Sequence, residues 1–263
     1  NVSLTVAGGT KTAPLWGAGD CDRNPLPSTP LGVAQMSGRA WFACGPDGVP
    51  WSDSGLPCRR SNQPNVQALT TSDGLPVTAI GPVMLSAPLT GGIVQALIAF
   101  QGETKMQQIT GDSATNNLSM NALPVATGTL APLSITPCEL GLAFVSPEGL
   151  RIAMRDGTVS PPIGDAGEGV TVPFIYASVP SRICAAASVH TIRVTVKNGL
   201  TASPINEEYW FDIGRKTWSG PHTTNASLVN AHRNHFMISI VGVAAKFFHS
   251  DTEPHIGDSY VEN

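Results

Sequence analysis

The sequence predicts an all-β fold, an irregular β-propeller-like array of antiparallel hairpins, and three observations predict it. First, Gly 27 and Pro 22 make up nearly a fifth of the 263 residues. That much punctuation leaves little room for long helices. Second, the apolar runs between these breaks are short, as in Ile93-Phe100 and Ile192-Val196. Short runs rich in Val, Ile and Phe with turn residues at each end read as strands. Third, one unit recurs along the chain: a strand, a tight turn and a second strand.

The unit occurs five times. Its copies are Ala40-Gly55, Leu97-Asp112, Leu142-Gly157, Tyr209-Thr224 and Phe236-Asp251. Turns are clearest at Gly45-Pro46-Asp47-Gly48, Gly102-Glu103, Pro147-Glu148-Gly149 and Gly214-Arg215-Lys216. Glycine in such turns supplies positive φ without a steric cost. The copies start 57, 45, 67 and 27 residues apart. Propeller blades recur at about 40–50 residues. The 45 fits, and the 57 and 67 fit with insertions. The 27 implies that the last two hairpins share one blade. A β-sandwich of the same strands is the alternative. The segments Asn24-Pro30, Cys58-Val66 and Pro161-Gly169 read as connectors, and Ser178-Ala187 as the one candidate helical turn. The whole of 1–263 reads as a single β-propeller-like domain, an excerpt of a longer polypeptide.

Hydrophobic residues reach 41% and charged residues only 13%. The first number marks a globular chain rather than a disordered one. The second is about half the usual share; it fits a surface covered by neighbours, or a Ser/Thr/Asn-rich β protein. The net charge is −4, and no Lys/Arg run is longer than the pairs Arg59-Arg60 and Arg215-Lys216. Tight sequence-specific DNA binding is therefore not expected, because phosphate neutralisation supplies much of that affinity. The five cysteines, Cys21, Cys44, Cys58, Cys138 and Cys184, are odd in number and show no metal-ligand spacing. A disulfide framework is not expected, although Cys44 and Cys58 flank one hairpin. The longest uncharged apolar stretch, Phe236-Ala245, is too short to cross a bilayer as a helix.

Residues able to do chemistry are scattered. The histidines are His190, His222, His232, His235, His249 and His255. His232 and His235, three apart, would face opposite sides of one strand and share no metal. The carboxylates Asp53, Asp112, Glu139, Glu148, Asp156, Asp165 and Glu168 mostly adjoin turn residues, where such side chains serve turn geometry. A glycosidase needs two of them facing across a sugar. Ser52-Asp53-Ser54-Gly55 is similar to the Asp-box turn of sialidase propellers but lacks the Trp that should follow. Trp41, Trp51, Trp210 and Trp218 would stack a sugar if exposed together; inside hairpins they are expected in the core. No nucleophile elbow or phosphate-binding loop occurs. Hence no catalytic, cofactor-binding or metal residue is assigned, no cofactor is expected, and the chain is not read as an enzyme.

Several words recur in order: Gly38-Arg39-Ala40-Trp41-Phe42-Ala43, Trp51-Ser52-Asp53, Gln108-Ile109-Thr110-Gly111-Asp112, Gly128-Thr129-Leu130-Ala131-Pro132, Gly141-Leu142-Ala143-Phe144, Glu148-Gly149-Leu150-Arg151, Tyr209-Trp210-Phe211-Asp212 and Thr217-Trp218-Ser219-Gly220-Pro221-His222. In this order they resemble the tail nozzle and hub proteins of short-tailed bacteriophages. The resemblance implies a structural virion protein of the phage tail, assembled in the host cytoplasm. It further implies a cyclic ring of identical subunits, six in number, contacts with other tail and adaptor proteins, and genomic double-stranded DNA passing without sequence-specific binding. Inter-subunit contacts are expected on Asn24-Pro30, Cys58-Val66 and Pro161-Val172. A tail-tip propeller that binds or cleaves glycans is the alternative, and a cytoplasmic protein-binding propeller is a third reading.

Overall fold

The structure is a computed structural model. It describes residues 2–6, 9–13, 30–44, 48–57, 68–70, 73–86, 91–112, 117–163, 179–197, 206–222, 226–232, 235–240, 248–250 and 259–261.

Among the described residues the chain is strands and turns, with two 3-10 turns at Pro132–Ser134 and Pro180–Arg182. A hairpin of β1 (Val2–Val6) and β2 (Gly9–Ala13) comes first and forms a two-stranded sheet among the described residues. Five antiparallel meanders follow. The first holds β3 (Gly32–Met36), β4 (Arg39–Ala43), β5 (Gly48–Pro50) and β6 (Ala68–Thr70), with β4 tied to β5 through the bridges Cys44–Gly48 and Trp41–Trp51. The second holds β7 (Ala79–Ser86), β8 (Ile93–Gln101), β9 (Lys105–Asp112) and β10 (Asn117–Ala122). The third holds β11 (Thr136–Cys138), β12 (Gly141–Ser146) and β13 (Gly149–Met154), and bridges from Val159 and Ile163 supply its outer edge. The fourth holds β14 (Cys184–Ala187), β15 (Thr191–Lys197), β16 (Asn206–Asp212) and β17 (Thr217–His222). The fifth holds β18 (Ala226–His232), β19 (His235–Ile240), β20 (Phe248–Ser250) and β21 (Ser259–Val261).

The sheets follow one another like blades. The first strand of each touches the first strand of the next: β3 with β7, β7 with β11, β11 with β14, and β14 with β18. Alternation sends each strand's side chains to two opposite faces, and most faces meet a neighbouring sheet. Met36, Trp41 and Val49 pack on Ile80, Leu97 and Ile109 between the first and second sheets. Phe100 meets Phe144 edge-on between the second and third, ring centroids 5.0 Å apart. Val145 and Ile152 meet Ile192, Val194 and Phe211 between the third and fourth. Cys184 and Ala186 meet Val229, Phe236 and Ile238 between the fourth and fifth. Each such Val, Leu, Ile, Phe or Met side chain contributes about 1.5–3 kcal/mol on full burial. Among the described residues no corresponding core joins the fifth sheet to the first.

All five predicted hairpins are antiparallel pairs, on β4–β5, β8–β9, β12–β13, β16–β17 and β19–β20. The fourth lies one strand out of phase. In the other four sheets the predicted hairpin is the second and third strands, whereas β16–β17 is the third and fourth. The equivalent second strand is β15. Counted from there, the intervals are 50 residues from Leu142 to Ile192 and 44 from Ile192 to Phe236. The last two hairpins thus sit in separate sheets, contrary to the expectation that they share one. Two local expectations also change. In the Gly214-Arg215-Lys216 turn the positive φ, 55°, falls on Lys216. The candidate helical turn is a 3-10 turn at Pro180–Arg182 that runs into β14.

Candidate functional site

Among the described residues, candidate sites lie on the axis of the array and at the seam between the fourth and fifth sheets.

A cavity of about 550 Å³ lies on the axis, lined by all five sheets. Its wall includes Leu31 and Val33 beside β3, Ile80 from β7, Thr136 from β11, Ala185 and Ala187 from β14, and Asn230 from β18. Among the described residues none that lines it is charged. Its volume is within the range of small-molecule sites. A DNA duplex does not fit there.

The seam is built on β15, β16 and β17. Register sets Arg193 opposite Trp210, Thr195 opposite Glu208, and Glu208 opposite His222. These residues therefore share one face of the sheet. The register shifts between Glu208 and Trp210, and such irregularities re-aim neighbouring side chains. The Arg193 Cζ stands 4.1 Å from the centre of the Trp210 ring and 4.2 Å from that of Phe236, which arrives from β19. Its Nη1 is 3.5 Å from Glu208 Oε1, and both side chains are almost wholly buried. Burial pulls the Arg193 pKa down, and the Glu208 carboxylate opposes that pull. Outward from this pair, the His222 ring lies on Trp210 at 4.2 Å. His222 Nε2 is 2.9 Å from the hydroxyl of the exposed Ser219. Burial lowers the His222 pKa below its ordinary value; Glu208 counters this and Arg193 adds to it. The guanidinium is thus neutralised by one carboxylate and faced by two rings. Its chemistry is spent on joining two sheets.

The tryptophans do not form one platform. Trp41 and Trp51 are buried against each other, centroids 4.8 Å apart, and Trp41 Nε1 donates to the Met36 carbonyl. Trp210 faces Phe236, whereas Trp218 packs on Phe211 at 5.1 Å, on the side of the third sheet. Ser52-Asp53-Ser54-Gly55 is a turn that holds β4: Ser52 Oγ accepts from the Ala40 N–H at 3.0 Å, and the Gly55 N–H donates to the Gly38 carbonyl.

The remaining candidates lie apart. Asp156 accepts from the N–H and hydroxyl of Thr158 in a turn. Glu148 pairs with Arg151 across its own turn. His190 and Glu139 are both exposed, 3.9 Å apart. His232 and His235 are not on one strand but are cross-strand partners at the β18–β19 turn, so the expectation of opposite faces fails: the chain reverses between them. Asp53 bridges to Leu56, and Asp112 ends β9. His249 lies on β20. Asp165, Glu168, His255, Cys21 and Cys58 fall outside the described residues, as does most of the three proposed contact segments. Among the described residues no three His, Cys, Asp or Glu side chains form a group able to hold a metal, and no helix is long and apolar enough to cross a membrane. The buried Arg193–Glu208 pair was missed by sequence reasoning.

No family model and no curated protein matches the chain. Among solved structures it is similar to the SapL1 lectin in complex with alpha methyl fucoside, at 9% identity and a TM-score of 0.41, over 88% of this chain and 77% of that one. It is also similar to an ACO/RPE65 chimera at 8% identity and a TM-score of 0.47, over 88% of this chain and 58% of that one.

Proposed function

We propose that the chain is an architectural subunit of a short-tailed bacteriophage tail, part of the nozzle or hub through which the genome is retained and then ejected. One observation carries the reading. The words that resemble nozzle proteins recur in order, and most lie on consecutive sheets: Arg39–Ala43 on β4, Gln108–Asp112 at the end of β9, Gly141–Phe144 on β12, and Tyr209–Asp212 with Thr217–His222 on β16 and β17. The work of such a subunit is shape and contact. Copies arranged in a closed cyclic ring, six by the resemblance, would bound a conduit, since rotational closure leaves no open end. The conduit lies between subunits, because the cavity on the subunit's own axis is far too small for a duplex. A net charge of −4 and 13% charged residues suit a wall along which DNA slides.

The reading is tested on purified virions carrying an epitope-tagged copy of this chain. Label at the tail, with cyclic symmetry in the averaged images, is the expected result. Virions without the chain, or a label placed on the capsid shell, would overturn it.

A further inference from the structure

An extra residue on β17 brings a hydroxyl and an imidazole together. Ser219 stands opposite Trp210 and His222 opposite Glu208, so three steps along β17 match two along β16. On a regular strand, residues three apart face opposite sides. The bulge instead sets Ser219 and His222 on the face that Trp210 and Glu208 share. Bulges of this kind re-aim side chains and are frequent beside active sites. Gly220 lies in the bulge with φ +125°, and a Cβ there would stand 2.8 Å from the Glu208 carbonyl oxygen, so the position favours glycine.

The two side chains have the geometry of a nucleophile and its base. The Ser219 hydroxyl is 2.9 Å from His222 Nε2, inside the range of about 2.6–3.2 Å over which a base takes a proton. The imidazole tautomer with its hydrogen on Nδ1 presents Nε2 as acceptor of that O–H. Burial holds His222 below its ordinary pKa, so the ring is neutral and able to accept at about pH 7. A third group stands behind the base. The buried Glu208 carboxylate on the facing strand favours the imidazolium that forms when the proton is taken. Arg193 acts against it and is itself paired with Glu208. Hydroxyl, imidazole and carboxylate in that order recur on unrelated folds where a serine is activated. Ser219 is exposed on the outermost strand of the fourth sheet, open to a solute.

We propose that Ser219 is a nucleophile with His222 as its general base, and that it accepts acyl groups from small, unhindered carboxylic esters. Ser219 Oγ adds to the ester carbonyl carbon while its proton passes to His222 Nε2. The bond from that carbon to the alcohol oxygen breaks, and the alcohol leaves with the proton. Water then takes the place of the alcohol. It gives a proton to Nε2 and adds to the acyl carbon, and the acid is released as Ser219 Oγ recovers the proton. Ester and water alone close the balance. An open strand grips little beyond the ester itself, which is why a small acyl group suits it. A phosphoryl group is a poorer match, because Arg193, the cation beside His222, is buried and paired with Glu208. The site is built on one subunit's own strands and does not depend on assembly into a ring.

The test incubates the full chain with p-nitrophenyl acetate and, separately, with a fluorophosphonate that labels activated serines, and locates the modified residue by peptide mass. Expected is acetyl or phosphonyl label on Ser219, absent from Ser219→Ala and retained in Thr217→Ala, which removes an exposed hydroxyl from the same strand. His222→Gln should lower the labelling rate by about 100-fold or more, as loss of a general base does. If that variant melts below the assay temperature, the pH profile of the wild type replaces it. Labelling should rise as His222 loses its proton, with a midpoint below about pH 6.5, set by the ring together with Glu208, Arg193 and Ser219 around it. Label on other residues with Ser219 unmodified, a rate unchanged in Ser219→Ala, or a rate indifferent to the state of His222 would overturn the proposal. The virion label decides the tail reading separately.

Discussion

Arg193 and Glu208 form an ion pair inside the seam between the fourth and fifth sheets, Nη1 to Oε1 3.5 Å, with side chains 1% and 0% exposed. The pair is tertiary glue of a particular kind. Arg193 sits on β15 and Glu208 on β16, but the ring over the guanidinium from outside the sheet is Phe236 on β19. A charge from one sheet is thereby caught between aromatic rings of two, an arrangement that strengthens when water is excluded.

Removing one member should leave the other charged and buried. Glu208→Gln and Arg193→Met should each destabilise the fold by about 3–5 kcal/mol. Replacing both, as Arg193→Met/Glu208→Leu, should recover most of that loss, because a buried pair exchanged for apolar packing is often neutral. Urea denaturation of the three variants measures this. Equal losses in the single and double variants would show that packing volume, not charge, is what the seam requires.

Neighbouring aromatics on β16 should behave unequally. Phe211 is buried toward the third sheet, whereas Trp210 is half-buried under His222. Phe211→Ala should cost about 3–5 kcal/mol. Trp210→Ala should cost less and should weaken the pH dependence that His222 contributes, because the ring it covers becomes more solvated. Calorimetric melting of both variants checks the order.

The hairpins were legible because their signals are local. A turn glycine and alternation on both sides need only a few residues, and all five pairs are present. The phase of the fourth copy was not. Aromatic density drew attention to Tyr209–Asp212, while the true second strand, Thr191–Lys197, reads TIRVTVK and has no aromatic. Arg193 was hidden for a related reason. Flanked by Ile192 and Val194, it reads as a solvent-facing position of a one-sided strand. In a stacked array both faces of β15 are covered, so the outward position is also inside. Burial of that kind depends on which sheets meet, and no local pattern records that.

Two glycines with positive φ should differ sharply. Gly141 has φ +152°, and a Cβ there would stand 2.0 Å from the Ala153 carbonyl oxygen across the β12–β13 ladder. Gly102 has φ +66° with open space around it. Gly141→Ala should therefore cost at least about 2 kcal/mol and loosen the third sheet, whereas Gly102→Ala should cost about 1–2 kcal/mol for the left-handed backbone alone. Chemical denaturation of the pair separates steric conflict from backbone preference.

Acid should weaken the fold partly through His222. Burial against Trp210 lowers its pKa in the folded chain, and Arg193 adds to this, while Glu208 opposes it. The unfolded chain titrates near the ordinary value of about 6.5. Between the folded and unfolded pKa the unfolded state binds more protons, so stability rises with pH through that window. The contribution is fully present above about pH 6.5 and is lost as pH falls through the lower, folded pKa. The groups facing the ring are Trp210 and Glu208 from β16, Arg193 from β15 and Ser219 from its own strand. His222→Gln keeps a polar group beside Ser219 but cannot take up a proton, so its melting temperature should fall less than that of the wild type between pH 7 and pH 5. An identical slope in both proteins would show that Glu208 holds the imidazolium as well as water does; a steeper slope in the variant would mean that the folded pKa is raised.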